Sequence, residues 1–113
     1  MEPGEKLLRL LLHDERFIEA VLGTDRDNLE ASGLDPRTHA IIRLAALLAL
    51  DAPSVVYQWN VDRAFEAGVT RDEIVGCLVA AAPVVGLPRV VAAAPDLAAM
   101  IGFDLEAALE SPT

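Results

Sequence analysis

The middle of the chain holds polar side chains whose chemistry fits a small carbonyl or carboxylate compound. Asn60 is the only polar member of a helical stripe that otherwise contains Val56, Ala64 and Ala67. Its amide can orient or polarise a carbonyl but cannot titrate. Tyr57 precedes it by three residues and offers a phenol as an acid or hydrogen-bond donor. The side-chain chemistry of Asn60 and Tyr57 makes both residues candidates for a functional site.

Histidine and arginine one helix earlier extend the candidate site. His39 is the third catalytic candidate, because the pKa of a histidine lies near neutrality and it can shuttle a proton. Arg43 follows one turn later and can bind a substrate carboxylate through two hydrogen bonds. Trp59, beside Asn60 on a different stripe, completes the binding candidates and is also an expected interface anchor.

Each of these residues has a structural alternative. Asn60 can make an interhelical hydrogen bond that fixes packing, and Tyr57 can be a half-buried packing residue with a wet hydroxyl. His39 is expected more often to face solvent, and Arg43 can pair with an acidic side chain or a neighbouring subunit. Cys77 is expected to be a packed, protonated thiol.

The elements that would position these residues are all helical, since no strand-like alternation of apolar and polar residues occurs. Asp35 and Pro36 mark the start of a helix over residues 36–50. Its apolar second half is expected to be surrounded by protein, either of this chain or of another subunit. The helix that carries Asn60 is predicted to start at Asp51 or Ser54 and to end at Gly68.

The following boundary is marked by several signals at once. Thr70 and Glu73 form a capping box, and the apolar residues on either side of it can form a hydrophobic staple. The next helix is predicted over residues 71–85, where Pro83 kinks or ends it. A final apolar helix over residues 88–101 is predicted to break or bend at Pro95.

The two ends of the chain complete the predicted fold. Before Gly23, one or two amphipathic helices are expected, followed by a polar stretch, TDRDNLEASG, with about one turn of helix. A short helix with a frayed SPT tail is expected after Gly102. The prediction is an all-α single domain over residues 1–113, with about six to seven helices.

Composition limits the classes of partner. Hydrophobic residues make up 53% of the 113-residue chain, more than one small core needs, so a homo-oligomer is expected. The net charge of -9 argues against nucleic acid and anionic membranes as partners. The single cysteine excludes an intramolecular disulfide and a cysteine-based zinc site. Without a secretory signal or a spanning segment, a cytoplasmic location is predicted, and no metal or cofactor is expected.

Three segments together resemble a known family. They are LDPRTHAIIRLAALLAL, then A-x-x-A-G-V-T-R-D-E-I, then an apolar helix closing on VGLP. Over residues 34–101 this pattern is similar to the carboxymuconolactone decarboxylase and alkylhydroperoxidase D-like family. The resemblance implies an all-α fold that assembles as trimers or hexamers, with a small pocket near subunit contacts.

The resemblance also implies where a catalytic site would lie. Family peroxidases carry Cys-x-x-Cys-x-x-x-His on the helix before the glycine of the second segment, and a glutamate on the preceding helix. The four positions, in the order histidine, second cysteine, first cysteine and glutamate, correspond here to Asn60, Val56, Pro53 and either Ala40 or Ile41. All four family residues are therefore replaced.

Three functions follow in order of preference. The first is a diverged non-redox lyase or isomerase acting on a small carbonyl or carboxylate compound. The alternative is a non-catalytic binding or scaffold member of the family. An alkylhydroperoxidase-type antioxidant is a distant third, because thiol peroxidation needs two cysteines and neither Pro53 nor Val56 supplies one.

Overall fold

The chain folds into α-helices throughout the part that the structure describes. A computed structural model describes residues 1–110, apart from the side chain of Leu105. It contains eight helices and no strand within those residues, namely α1 (Pro3–Leu11), α2 (Glu15–Val21), α3 (Asp25–Ser32), α4 (Pro36–Leu50), α5 (Ser54–Glu66), α6 (Arg71–Val85), α7 (Leu87–Met100) and α8 (Leu105–Glu110). The all-α prediction is confirmed, and the SPT tail lies outside the described residues.

These helices fall into two compact units. The first comprises residues 1–39, and the second begins at residue 40 and contains the rest of the described chain. Helix α4 crosses the boundary, so that His39 belongs to the first unit and Ala40 to the second. The prediction of a single domain over the whole chain stays a prediction.

In the first unit, side chains cap the second and third helices. The Asp14 carboxylate accepts a hydrogen bond from the Phe17 N–H at 2.9 Å, and Phe17 is buried. Thr24 and Asp27 form a reciprocal capping box at the start of α3. The expectation of about one helical turn after Gly23 was therefore too short. The capping box was the sequence signal for the full helix.

The core of the second unit is formed by side chains from α4, α5, α6 and α7. The fully enclosed positions are Val61 and Ala64, both 0% exposed and both on α5. Around them lie buried residues of the other three helices, among them Leu44, Leu48, Ile74, Cys77, Ala93 and Leu97. Helix α5 is thus the element whose inner face is most completely covered.

The predicted helix boundaries in this region are confirmed. Asp35 accepts hydrogen bonds from the backbone N–H and the hydroxyl of Thr38 at 2.9 and 2.8 Å. Gly68 adopts a φ of 87°, and the next N–H, that of Val69, bonds back to the Ala64 carbonyl at 2.9 Å. This hydrogen bond closes α5 in the manner of a Schellman motif. The capping box of Thr70 then starts α6.

Two prolines lie inside continuous helices. Pro83 is part of α6 and Pro95 is part of α7, so neither ends its helix. Both are exposed, which lets water hydrate the backbone carbonyl that the missing proline N–H leaves unpaired. Gly86, with a φ of 98°, separates the two helices.

Helix α4 is covered on one face only. Leu44 and Leu48 are buried, whereas Leu50 is exposed. Within the described residues its apolar second half is therefore only partly covered, and the expectation that another subunit covers the rest stays a prediction. No helix among the described residues combines the length and apolar character that crossing a membrane requires.

Candidate functional site

The candidate site is centred on α5, which begins after a tight turn. Asp51 adopts a φ of 52° and donates its N–H to the Leu48 carbonyl at 3.3 Å. The Ala52 N–H bonds to the Leu47 carbonyl at the same distance. Asp51 thus ends α4, and of the two predicted starts of α5 only Ser54 is right.

Asn60 bonds to its own helix. It is half-buried, and its Nδ2 donates to the Val56 carbonyl one turn earlier at 2.8 Å. The expected structural alternative was an interhelical bond, and the observed bond is intrahelical. Within the described residues, the Asn60 Oδ1 accepts no hydrogen bond. One amide N–H and the amide oxygen remain available for other partners.

Tyr57 is directed into the core. Its side chain is 3% exposed, and its hydroxyl donates to the Leu47 carbonyl at 3.0 Å. Burial raises the pKa of this phenol above its ordinary value, because a phenolate loses solvation inside the fold. The expectation of a half-buried residue with a wet hydroxyl is wrong. A buried phenol with a raised pKa, whose proton is already donated, is a poor acid.

His39 is buried in the first unit, so the expectation that it faces solvent is wrong. Its Nε2 lies 2.7 Å from the Asn28 Oδ1. The Asn28 Nδ2 donates to the Val21 carbonyl at 2.7 Å, which leaves Oδ1 as the acceptor and assigns the His39 Nε2–H as the donor. The sequence analysis did not predict Asn28 as the hydrogen-bond partner of His39. Its position in the segment that forms α3 was the only sequence signal.

The two predicted binding residues differ in exposure. Trp59 is 63% exposed, on the outer face of α5 beside the exposed Val55. Arg43 is half-buried on α4. On α5, Tyr57 therefore lies inside the core and Trp59 lies outside it. The exposure of Asn60 is intermediate between the two.

A link between α5 and α7 was not predicted. The Ser54 hydroxyl donates to the Asp96 Oδ2 at 2.6 Å, across 42 residues of sequence. Both residues are exposed. No local pattern marks this pair, since its two members meet only because α5 and α7 pack together.

Comparison with known proteins identifies the family. The model of the carboxymuconolactone decarboxylase family matches residues 15–99. This chain belongs to that family. A search of curated proteins and a search of solved structures each returned no match. The resemblance seen in residues 34–101 is thereby confirmed, and the match begins earlier in the chain.

The residues at the positions where the resemblance implies catalytic groups of the carboxymuconolactone decarboxylase family differ in their surroundings. Pro53 precedes α5 without a side-chain capping bond, and Val56 contributes only its carbonyl, to Asn60. Ala40 is a buried member of the second unit's core. Ile41 packs against that core and accepts a hydrogen bond at its carbonyl from the Cys77 Sγ at 3.8 Å.

Cys77, the chain's only thiol, has the properties of a packed residue. It is 9% exposed, and burial raises the pKa of the thiol, which keeps it protonated and unreactive at neutral pH. Among the described residues, no group of three or more His, Cys, Asp or Glu side chains is arranged to bind a metal ion.

Proposed function

We propose that this chain is a non-catalytic binding or scaffold member of the carboxymuconolactone decarboxylase family. The observation that carries the proposal is the hydrogen bond from the Tyr57 hydroxyl to the Leu47 carbonyl. Through this bond the Tyr57 hydroxyl holds α4 and α5 together. Tyr57 is the phenol nearest to the positions where the family resemblance implies catalytic residues.

The other proton-carrying candidate supports the same proposal. His39 is buried and donates from Nε2 to Asn28, a bond that satisfies a polar group inside the first unit. Asn60 cannot titrate at the position where family members carry a histidine. General acid–base catalysis needs a group that can exchange a proton with the substrate. Tyr57, His39 and Asn60 do not provide such a group.

Assembly into a homo-oligomer, a trimer or hexamer as in the family, belongs to the same proposal. Large apolar side chains are exposed on each helix from α4 to α7 of the second unit, namely Ile42, Leu50, Val55, Trp59, Val75, Val79, Val84, Leu87 and Val91. Exposed apolar side chains on every one of these helices are what burial between subunits would explain. A cytoplasmic location is also proposed, since a lone thiol such as Cys77 suits a reducing compartment.

Turnover assays test whether the chain is catalytic. The wild type is incubated with a small keto acid, acetoacetate, and with a five-membered lactone carboxylate, and CO₂ release and product formation are followed. We expect no rate above buffer. A rate that Asn60→Ala removes and Gln58→Ala retains would overturn the proposal, because Gln58 lies on the same helix and its side chain bonds to Asp62.

A second function, a diverged lyase or isomerase, is favoured by one specific observation. The half-buried Asn60 keeps one N–H and its Oδ1 without a described protein partner, so its amide can still polarise a bound carbonyl. In this alternative Arg43 holds the substrate carboxylate. The turnover assay with Asn60→Ala distinguishes the two functions.

Light scattering coupled to size exclusion tests the assembly. We expect a mass of three or six copies, and a blue shift of the fluorescence of Trp59 as dilute chains associate, because Trp59 is the only tryptophan. Trp59→Ala should weaken assembly, whereas Gln58→Ala should not. A monomer at every concentration would refute the homo-oligomer.

A further inference from the structure

An apolar cavity of about 270 Å³, open to solvent on one side, lies between α6 and α7 in the second unit. Val75 and Leu78 line it from α6, Leu97 lines it from α7, and Ile101 lines it from the position directly after α7. The two helices pack against each other, so the cavity is a gap in their shared surface. It involves neither Asn60 nor Tyr57.

The floor of the cavity reaches the core. Leu97 is 3% exposed and Ile101 is 9% exposed, and both belong to the core cluster of the second unit. A compact molecule can reach such side chains. The backbone of another helix cannot approach these side chains as closely, because the axes of packed helices stay about 8–10 Å apart.

Small side chains on α7 create the space. Ala94 and Ala98 line the cavity and lie one turn apart on the same face of the helix. A Leu or Ile at either position would project into the volume that the two methyl groups leave open.

The rim is built by the turn that ends α7. Gly102 adopts a φ of 77° and donates its N–H to the Ala99 carbonyl at 3.1 Å. The Phe103 N–H then bonds to the Ala98 carbonyl at 2.8 Å, which completes a Schellman motif. This turn folds Phe103 back over the last turn of α7, where its half-exposed side chain borders the cavity.

The lining determines the class of ligand. None of the residues that line the cavity has a polar side chain, and the only charged residues between Ile74 and Phe103, Arg89 and Asp96, are not among them. A charged ligand would lose its hydration there without a compensating partner. A neutral apolar ligand would gain about 25 cal/mol for each Å² of surface it buries.

We propose that this cavity binds a small, uncharged apolar molecule, about the size of a single aromatic ring with a short alkyl substituent. An enclosed engineered cavity of about 150 Å³ binds benzene, and the larger but half-open volume here has room for such a ring with a short substituent. The site does not use the Asn60 region, although Val75 in its lining is also one of the exposed side chains assigned above to assembly.

Toluene is the probe for the test, with binding measured by calorimetry and by shifts of the methyl NMR signals of Ile101. The wild type should bind toluene saturably. Ala98→Leu, which fills the cavity, should weaken binding by about tenfold or more. Ala92→Leu is the matched control, because Ala92 lies on the same helix but is exposed and outside the cavity. It should bind like the wild type.

Further variants and ligands keep the outcome decisive. Phe103→Ala, which opens the rim without filling the cavity, should also weaken binding, and circular dichroism establishes that each variant keeps its helices. Benzoate, the charged analogue, should not compete with toluene. The proposal is overturned by equal binding to Ala98→Leu, by tight benzoate binding, or by no saturable binding to the wild type. The last result is expected if a second copy of the chain covers the opening.

Discussion

The Tyr57 hydroxyl and the Leu47 carbonyl lie 3.0 Å apart and join the start of α5 to the end of α4. The same carbonyl also accepts the Ala52 N–H at 3.3 Å. Carbonyls in the last turn of a helix lack an intrahelical partner. Tyr57, a catalytic candidate in the sequence analysis, therefore forms a hydrogen bond to a backbone carbonyl of the neighbouring helix.

Tyr57→Phe should lower the free energy of unfolding by about 0.5–1.5 kcal/mol, the usual contribution of a hydrogen bond. The loss is limited because Leu47 keeps the Ala52 N–H. Urea denaturation measures it. Ser54→Ala, which removes an exposed hydroxyl from the same helix, is the control and should cost less. An unchanged stability in Tyr57→Phe would show that the bond contributes nothing.

The Tyr57 phenol should ionise only above its ordinary pKa of 10.0, because burial favours the neutral form. Stability from this group is then fully present below pH 10.0 and is lost as the pH rises through the folded-state pKa. Phenolate absorbance measures the midpoint directly, since Tyr57 is the only tyrosine. In urea the midpoint should return to the ordinary value. An ordinary midpoint in the folded protein would mean that the ring is solvated.

Asn28→Ala should destabilise the first unit by about 1–3 kcal/mol, because the buried His39 Nε2–H and the Val21 carbonyl both lose a hydrogen bond. Chemical denaturation followed by the His39 ring NMR signals measures the change. Arg26→Ala on the same helix is the control. Its exposed ion pair with Glu30 is worth less than about 0.5 kcal/mol. If both variants are equally stable, the His39 contact is not structural.

Cys77 should react slowly with a neutral thiol reagent at pH 7 in the folded chain and rapidly in urea. The reason is its burial, which both blocks access and raises the thiol pKa. Cys77→Ser should leave toluene binding and any turnover intact. Rapid labelling of the folded chain, or loss of function in a folded Cys77→Ser variant, would argue for a reactive thiol.

The sequence by itself determined the helix boundaries and the family. The cap at Asp35, the left-handed Gly68 and the capping box of Thr70 each act within about one turn of backbone, so their hydrogen bonds can be inferred from neighbouring residues. The same local rule failed where the Thr24 capping box was overlooked and the length of α3 was underestimated, and it left the start of α5 open between Asp51 and Ser54.

The tertiary structure decided what the candidate residues do. Tyr57 bonds to Leu47, His39 to Asn28 and Ser54 to Asp96, across 10, 11 and 42 residues. These hydrogen-bond partners depend on which helix faces pack together. The periodicity of a sequence predicts which face of a helix is apolar, but it does not predict which other helix covers that face. Helix packing, rather than residue type, turned a set of candidate catalytic groups into buried hydrogen bonds and left the cavity beside Phe103 open.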